Sequence, residues 1–99
     1  MSTLRWPSKD PQDTLDYSLD WKKELSRIGD SIFESYWRIE SDDEDPVALV
    51  TTSDGINAYI TYIWLVGGTA NAVYRIVNTI HTSAGRIYER TVLLPVAHS

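Results

Sequence analysis

Short segments of β-forming residues, separated by turns, extend along nearly the whole chain of 99 residues. Six or seven of them recur at regular spacing between turns that contain Gly, Asp or Pro, and no long segment repeats its apolar residues at the helical period. The one helical turn expected lies at residues 21–25. This spacing is typical of two antiparallel sheets packed face to face. The sequence therefore predicts an all-β protein, an immunoglobulin-like antiparallel β-sandwich of six or seven strands.

The first two strands show their buried faces most directly. From Leu15 to Leu19, apolar residues alternate with polar ones, which is the period-two pattern of a half-buried strand. In the next strand, residues 31–39, Phe33 and Trp37 fall on one face and are predicted to enter the core. The other aromatic residues predicted to lie in the core are Trp21, Tyr74 and Tyr88.

A turn is predicted after the third strand. Residues 47–52 form this short strand, and Ser53-Asp54-Gly55 forms the turn that ends it, because an Asp-Gly pair favours positive φ. The next strand then extends from Asn57 to Val66. This interpretation places a chain reversal at Gly55.

The register of the last hairpin follows from which face must be buried. A two-residue loop at Ala84-Gly85 would mix charged and core side chains on both faces, whereas a three-residue loop with a left-handed Gly85 pairs even positions with even positions. The second register gives one mostly apolar face, with three facing pairs: Tyr74 with Leu94, Ile76 with Val92, and Ile80 with Tyr88. We therefore predict the loop Ser83-Ala84-Gly85, with Asn78 and Arg90 opposite each other among apolar neighbours.

Changes of composition divide the chain into three parts. Residues 1–14 are mostly polar and contain two prolines, so they cannot bury enough surface to offset the entropy of ordering and are predicted to form a flexible arm. Residues 15–96 form the predicted sandwich, and residues 97–99 form a C-terminal tail. The arm carries one large apolar side chain, Trp6, which either lies loosely on the domain or anchors a partner.

Charge and cysteine content exclude several classes of protein. The net charge is −5 and the chain has no cysteine. Non-specific nucleic-acid binding needs clustered Lys and Arg to displace counterions, so no nucleic-acid partner is predicted. Neither a disulfide framework nor a Cys-ligated zinc site can form. No membrane partner is predicted, because the longest aliphatic or aromatic run, residues 63–66, is far too short to span a bilayer and the N-terminus lacks a signal-peptide core.

The candidate chemical motifs are weak. The run Asp42-Asp43-Glu44-Asp45 lacks the alternating ligands and the glycine of an EF-hand, so it is interpreted as a solvated loop. His81 and His98 fall on a strand exterior and in the tail. Gly67-Gly68-Thr69 lacks the lysine and the helix of a phosphate cradle. We therefore predict no catalytic, metal-binding or cofactor-binding residue and no enzyme activity.

The strand from Asn57 to Val66 is apolar on both faces. If its odd-numbered residues fill the sandwich, then Tyr62 and Trp64 point outward together with Ile60 and Val66. An exposed apolar surface of this kind marks an interface, unless the arm or the acidic loop covers it within the monomer. The residues predicted to form a protein interface are Tyr62, Trp64 and Ile60, with Trp6 from the arm.

Four segments together resemble a known family. They are Asp16 to Trp21, Trp64-Leu65 with Gly67 to Ala70, Tyr74 to Thr82, and Gly85-Arg86 with Glu89 to Thr91. Over roughly Leu15 to Val96, the chain resembles the small fiber-tail adaptor-like proteins of tailed bacteriophages and their prophages. The resemblance implies an immunoglobulin-like structural protein that acts through protein contacts, with no catalytic residues to carry over.

The resemblance also sets the expected function. We expect a virion structural or assembly protein of a tailed phage or prophage, acting at the tail, fiber or connector region. Its expected partners are other virion or tail proteins, and homo-oligomerisation stays open. Its expected location is the host cytoplasm during assembly and the virion afterwards. The alternative, prompted by the 11% of aromatic residues, is a carbohydrate-binding β-sandwich module.

Overall fold

The described residues form seven strands and one helical turn. A computed structural model describes residues 4–41 and 49–98. The strands are β1 (Leu4–Arg5), β2 (Thr14–Asp20), β3 (Ile32–Ser41), β4 (Leu49–Asn57), β5 (Ile60–Gly67), β6 (Val73–Thr82) and β7 (Ile87–Pro95). A short helix, α1 (Lys22–Leu25), and a 3-10 turn (Ser26–Ile28) lie between β2 and β3. The acidic loop predicted at residues 42–46 lies outside the described residues.

The strands pair into two sheets whose order confirms the predicted sandwich. One sheet has the order β1-β7-β6-β3 and the other has the order β2-β5-β4. Neighbouring strands are antiparallel, except that β1 runs parallel to β7. With β2 to β7 taken as strands B to G, the sheets are B-E-D and G-F-C, which is the arrangement of immunoglobulin domains. The all-β, immunoglobulin-like fold is therefore confirmed.

The core consists of two adjoining apolar clusters between the sheets. The first includes Ile63, Leu65 and Tyr74, and the second includes Trp21 and Ile80. Trp21 and Tyr74 are fully buried, as predicted. Trp37 and Tyr88 are partly exposed, and both pack against the core.

A tyrosine corner closes the connection between β5 and β6. The backbone N–H of Thr69 donates a 2.9 Å hydrogen bond to the hydroxyl of Tyr74, five residues later at the start of β6. In immunoglobulin domains a tyrosine at this corner precedes the second cysteine of the inter-sheet disulfide by two residues. The corresponding residue here is Ile76, which is completely buried. Apolar packing therefore stands where antibody domains have a disulfide.

The register predicted for the last hairpin is confirmed. Tyr74 faces Leu94, Ile76 faces Val92 and Ile80 faces Tyr88. Gly85, in the loop, has a φ of 91°, which is the left-handed conformation that this loop requires. The buried face thus decided the register, as the alternation of apolar residues indicated.

Asn78 is a polar residue in the middle of this apolar face, and its side chain is fully hydrogen-bonded. Its side-chain oxygen accepts hydrogen bonds from the Thr61 hydroxyl at 2.7 Å and the Trp21 indole N–H at 3.2 Å. Its amide nitrogen donates to the Ser35 hydroxyl and to the Tyr36 carbonyl. The side chain is fully buried, and these bonds connect both sheets and the segment before α1. Because each polar atom of the side chain has a hydrogen-bond partner, burial of Asn78 carries no penalty for an unsatisfied group.

Phe33 does not lie in the core, in contrast to the prediction. Its side chain is 68% exposed. The pairing of β3 with β6 shifts between Ile32 and Glu34, so Phe33 is the extra residue of a β-bulge. A bulge breaks the alternation of faces at one residue, and a strictly period-two interpretation of β3 misses it.

The turn predicted at Ser53-Asp54-Gly55 is also wrong. β4 continues through all three residues and ends at Asn57, and the chain reverses at Ala58 and Tyr59. Ala58 has a φ of 55°, so an alanine occupies a left-handed position without a glycine's freedom. Gly55 instead faces Tyr62 of β5, whose phenol ring lies over it.

Residues 4–14 contact the sandwich, whereas the sequence predicted that the arm would be flexible. β1 pairs with β7, and Trp6 stacks on Tyr17 with ring centroids 4.6 Å apart. Lys9 is fully buried, and its ammonium group donates to the Gly67 carbonyl at 2.7 Å. Burial lowers the pKa of Lys9, although Asp13 and Asp10 oppose this shift. Tertiary contacts, which local composition does not reveal, hold this segment in place.

Candidate protein-interaction surface

An apolar stripe runs along the central strand of the three-stranded sheet, on the face away from the core. Its residues are Ile60, Tyr62, Trp64 and Val66, and they alternate with Thr61, Ile63 and Leu65, which are completely buried. Ile60 and Trp64 are each 38% exposed. The structure therefore brings three of the four predicted interface residues, Tyr62, Trp64 and Ile60, onto one surface. We call this surface the β5 face.

The β5 face has an acidic border on one side. In β2, Asp16 lies opposite Trp64 and Asp20 lies opposite Ile60. Both residues are exposed. Because directly opposite residues of an antiparallel pair share a face, each carboxylate stands beside an apolar side chain. The border gives the face a negative edge suited to a partner with Lys or Arg residues.

Small residues form the other border. In β4, Ser53 lies opposite Trp64 and Gly55 lies opposite Tyr62. Neither can shield a neighbouring aromatic ring from solvent. Val50, opposite Val66, is 48% exposed and extends the apolar surface. The sequence predicts a strand at Val50 but does not assign its face, and only the pairing of β4 with β5 assigns Val50 to this surface.

Trp6 does not join the β5 face. Its indole stacks on Tyr17, which lies opposite the buried Ile63 and therefore on the core side of β2. It also contacts the ring of Trp37, with centroids 6.4 Å apart. Trp6 thus packs inside the sandwich, and we leave it out of the proposed interface.

A second surface feature is a groove of 480 Å³ beside α1. The residues that line it are Lys23, Glu24, Arg27, Ile28, Arg86 and Tyr88. Two of them are held in ion pairs: Arg86 with Asp30 at 2.9 Å and Glu24 with Arg90 at 2.5 Å. Arg90 also lies 4.3 Å from the centre of the Trp21 ring, a cation–π contact. The Glu24–Arg90 pair attaches α1 to β7, and the Arg86–Asp30 pair attaches the turn after the 3-10 helix to the β6–β7 loop, so both pairs hold the helical segment against the sandwich.

Asp30 is the most strongly perturbed acid near this groove. Burial of its carboxylate would raise its pKa, but hydrogen bonds from the Thr82 side chain, the Ser31 backbone, Arg86 and the Ala84 backbone together lower the pKa to about 2. The same carboxylate oxygen accepts from the backbone N–H groups of Ser31 and Ala84. Asp30 therefore joins the turn after α1 to the β6–β7 loop, and it does so as a charged group.

The described residues contain no metal-binding cluster and no helix that could span a membrane. Across residues 4–41 and 49–98, no three His, Cys, Asp or Glu side chains are placed to hold a metal ion. The single helix in the same ranges is too short to cross a bilayer. The acidic run Asp42 to Asp45, interpreted from the sequence as a solvated loop, falls outside them.

Comparison with known proteins identifies the family. Comparison with curated proteins gives no match. The model of one protein family, described as the podophage GP4 fiber-tail adaptor protein gp77, matches residues 9–95. That range includes the described strands from β2 to β7, and it confirms the resemblance seen in the sequence. The chain therefore belongs to the podophage GP4 fiber-tail adaptor protein gp77 family, whose members are structural components of phage tails.

Proposed function

We propose that the protein is a non-enzymatic tail component that joins neighbouring virion proteins through the β5 face. The observation that carries the proposal is the exposure of Trp64 and Ile60 on the central strand of a sheet, whose core-facing residues Thr61, Ile63 and Leu65 are completely buried. Aromatic residues at the centre of an exposed apolar surface are the usual anchors of protein interfaces. The contacts fall at the tail, fiber or connector region, and the chain assembles in the host cytoplasm before it enters the virion.

The acidic border supports a partner of complementary charge. Asp16 and Asp20 flank the stripe, and the whole chain has a net charge of −5. A partner that places an apolar side chain over Trp64 and a Lys or Arg beside Asp16 satisfies both features. Charge at the rim of an interface mainly sets the association rate and the choice of partner, while the apolar centre supplies most of the affinity.

The test uses the tail and fiber proteins encoded next to this chain in its genome, each purified and mixed with it. We expect Trp64→Ala to weaken the complex by 2 kcal/mol or more, the scale of an interface anchor, while thermal unfolding stays nearly unchanged. Tyr36→Ala is the matched control, because Tyr36 is an exposed aromatic residue on the other sheet. Isothermal titration calorimetry measures the affinity.

Three outcomes decide between interpretations. Loss of binding with an intact fold supports the β5 face as the interface. Equal loss of stability and binding makes Trp64 a structural residue and contradicts the proposal. Binding of oligosaccharides, abolished by Trp64→Ala without any effect on tail-protein binding, favours the carbohydrate-binding alternative.

A further inference from the structure

The outer edge of β4 carries backbone groups that β5 does not use. β4 is the last strand of its sheet, and β5 is its only sheet neighbour among the described residues. In an antiparallel ladder, every second residue of an edge strand directs both its N–H and its C=O away from the sheet. Proteins usually protect such edges with Lys, Pro or covering segments. β4 contains neither Lys nor Pro, and its only charged residue is Asp54.

The tight turn between β4 and β5 shows which residues of β4 direct their backbone N–H and C=O groups to the open edge. Asn57 and Ile60 flank the two-residue loop Ala58-Tyr59, so they form a hydrogen-bonded pair of the ladder. Because such pairs alternate with unbonded ones, Asn57, Gly55 and Ser53 bond to β5. The backbone groups of Asp54 and Ile56 therefore face the open edge. This segment is regular, since the only shift in the pairing of β4 lies earlier, between Thr51 and Ser53.

We propose that β4 pairs antiparallel with β4 of a second copy of this chain, around a two-fold axis at Gly55. The register follows from charge and from the turn. Asp54 opposite Asp54 of the second copy would set two carboxylates face to face, which destabilises a strand pair. Ile56 opposite Ile56 would bring the Ala58-Tyr59 turn into the ladder. The remaining register places Asp54 opposite Ile56 of the second copy, twice.

The Gly55 position fits this pairing. In each copy the phenol ring of Tyr62 lies over Gly55, where a Cβ would come within 2.5 Å of Tyr62 Cζ. With Gly55 of both copies at the axis, the two Tyr62 rings lie side by side above the ladder. Ile56, which is 38% exposed in the monomer, is covered by the added strand. The result is one six-stranded sheet with two β5 faces on the same side, and closed two-fold pairing is the commonest form of self-association.

Disulfide trapping tests the register, because the native chain has no cysteine. In this register Ser53 faces Asn57 of the second copy, so the variant Ser53→Cys/Asn57→Cys forms disulfides only between chains. Within one chain these positions are about 13 Å apart along the strand, too far for a disulfide. The matched control, Thr14→Cys/Ser18→Cys, has the same spacing on the same face of the other edge strand, β2. Both pairs are exposed.

We expect covalent dimers from the β4 pair and monomers from the β2 pair on non-reducing gels of the oxidised full-length proteins. Equal trapping of both pairs, trapping of the β2 pair alone, or no trapping of the β4 pair overturns the proposal. The single variants Ser53→Cys and Asn57→Cys should give no covalent dimer on the same gels, since neither cysteine meets its own copy in this register. Efficient trapping of either one contradicts the register.

Sedimentation velocity of variants without cysteine gives an independent measure. Ile56→Asp places a new carboxylate opposite Asp54 in both pairs and should weaken the dimer roughly tenfold. Adding Asp54→Lys places opposite charges there and should restore the dimer. Trp64→Ala, which tests the proposed function, should leave it unchanged. A wild-type chain that sediments as a monomer up to its solubility limit, or an Asp54→Lys/Ile56→Asp variant no stronger than Ile56→Asp, overturns the proposal and leaves the role of the β5 face intact.

Discussion

At the scale of single residues, two buried polar side chains connect separate parts of the sandwich: Asn78 in its middle and Asp30 at one end. Asn78 satisfies all its polar atoms between the sheets, with partners that include Trp21 and Thr61. Asp30 keeps its charge while its side chain is almost wholly buried, because backbone N–H groups and Arg86 surround its carboxylate. Both residues tie together segments distant in sequence, so each contributes to the uniqueness of the fold as well as to its stability.

The carboxylate of Asp30 makes the free energy of unfolding depend on pH in the acidic range. Its pKa is about 2 in the folded chain, below the value of 3.8 for a free side chain. The folded state therefore holds this proton less tightly than the unfolded state does. The contribution to stability is fully present above about pH 4 and is lost as the pH falls toward 2.

Urea unfolding at a series of pH values measures this effect. We expect the free energy of unfolding to fall between about pH 4 and pH 2 in the wild type, and to fall less steeply in Asp30→Asn, which has no carboxyl group to titrate. Asp16→Asn, an exposed change in β2, serves as the control and should keep the wild-type slope. Identical slopes for the wild type and Asp30→Asn would contradict the role given to this carboxylate.

At the scale of elements, β4 and β5 fit each other through the contact of Gly55 with Tyr62. A side chain at position 55 would overlap the phenol ring. Position 55 therefore suits a glycine because it leaves space for the ring, and the ladder with β5 continues through Asp54 and Gly55 without a turn. A strand glycine usually weakens a sheet, and the packed ring offsets that cost.

A double-mutant cycle measures the contact. Gly55→Ala should destabilise the wild type by up to about 1 kcal/mol, because the added methyl group meets the outer end of the Tyr62 side chain, which lies on the β5 face and must turn aside. In a Tyr62→Ala background the same change should stabilise by about 0.5–1 kcal/mol, the usual advantage of Ala over Gly in a strand. Thermal and urea unfolding of the four proteins give the coupling energy. The same effect of Gly55→Ala in both backgrounds would show that the two residues are independent.

At the scale of the whole molecule, the N-terminal segment completes the sandwich. Trp6 packs against both core clusters, and the buried Lys9 attaches the segment to the end of β5 through the Gly67 carbonyl. The pairing of residues 4–5 with β7 adds a fourth strand to its sheet. The segment therefore acts as part of the fold, even though its composition is that of a linker.

Truncating Trp6 tests this role. We expect Trp6→Ala to lower the free energy of unfolding by about 2–4 kcal/mol, since it removes a large aromatic group from between the sheets. Leu4→Ala in the same segment should have a much smaller effect, because Leu4 is 40% exposed. Urea unfolding followed by tryptophan fluorescence distinguishes the two. If the two changes cost the same small amount, Trp6 lies loosely on the domain.

The sequence by itself determined the features that depend on local alternation. It specified the all-β class, the grouping of Tyr62 and Trp64 on one face of their strand, and the register of the β6–β7 hairpin, because the side chains of a strand alternate with period two and one face must be buried. The family followed from residues spread over most of the chain. These predictions needed no knowledge of which strands pair across the molecule.

Only the tertiary structure decided the exceptions to that alternation. The bulge that exposes Phe33 depends on how β3 meets β6, and the space at Gly55 depends on the ring of Tyr62 from the next strand. The place of residues 4–9 depends on the pairing of β1 with β7 and on the two core clusters that Trp6 contacts, which exist only once the sheets have assembled. In each case the stabilising contact comes from a residue distant in sequence, and so local propensity alone gives the wrong answer.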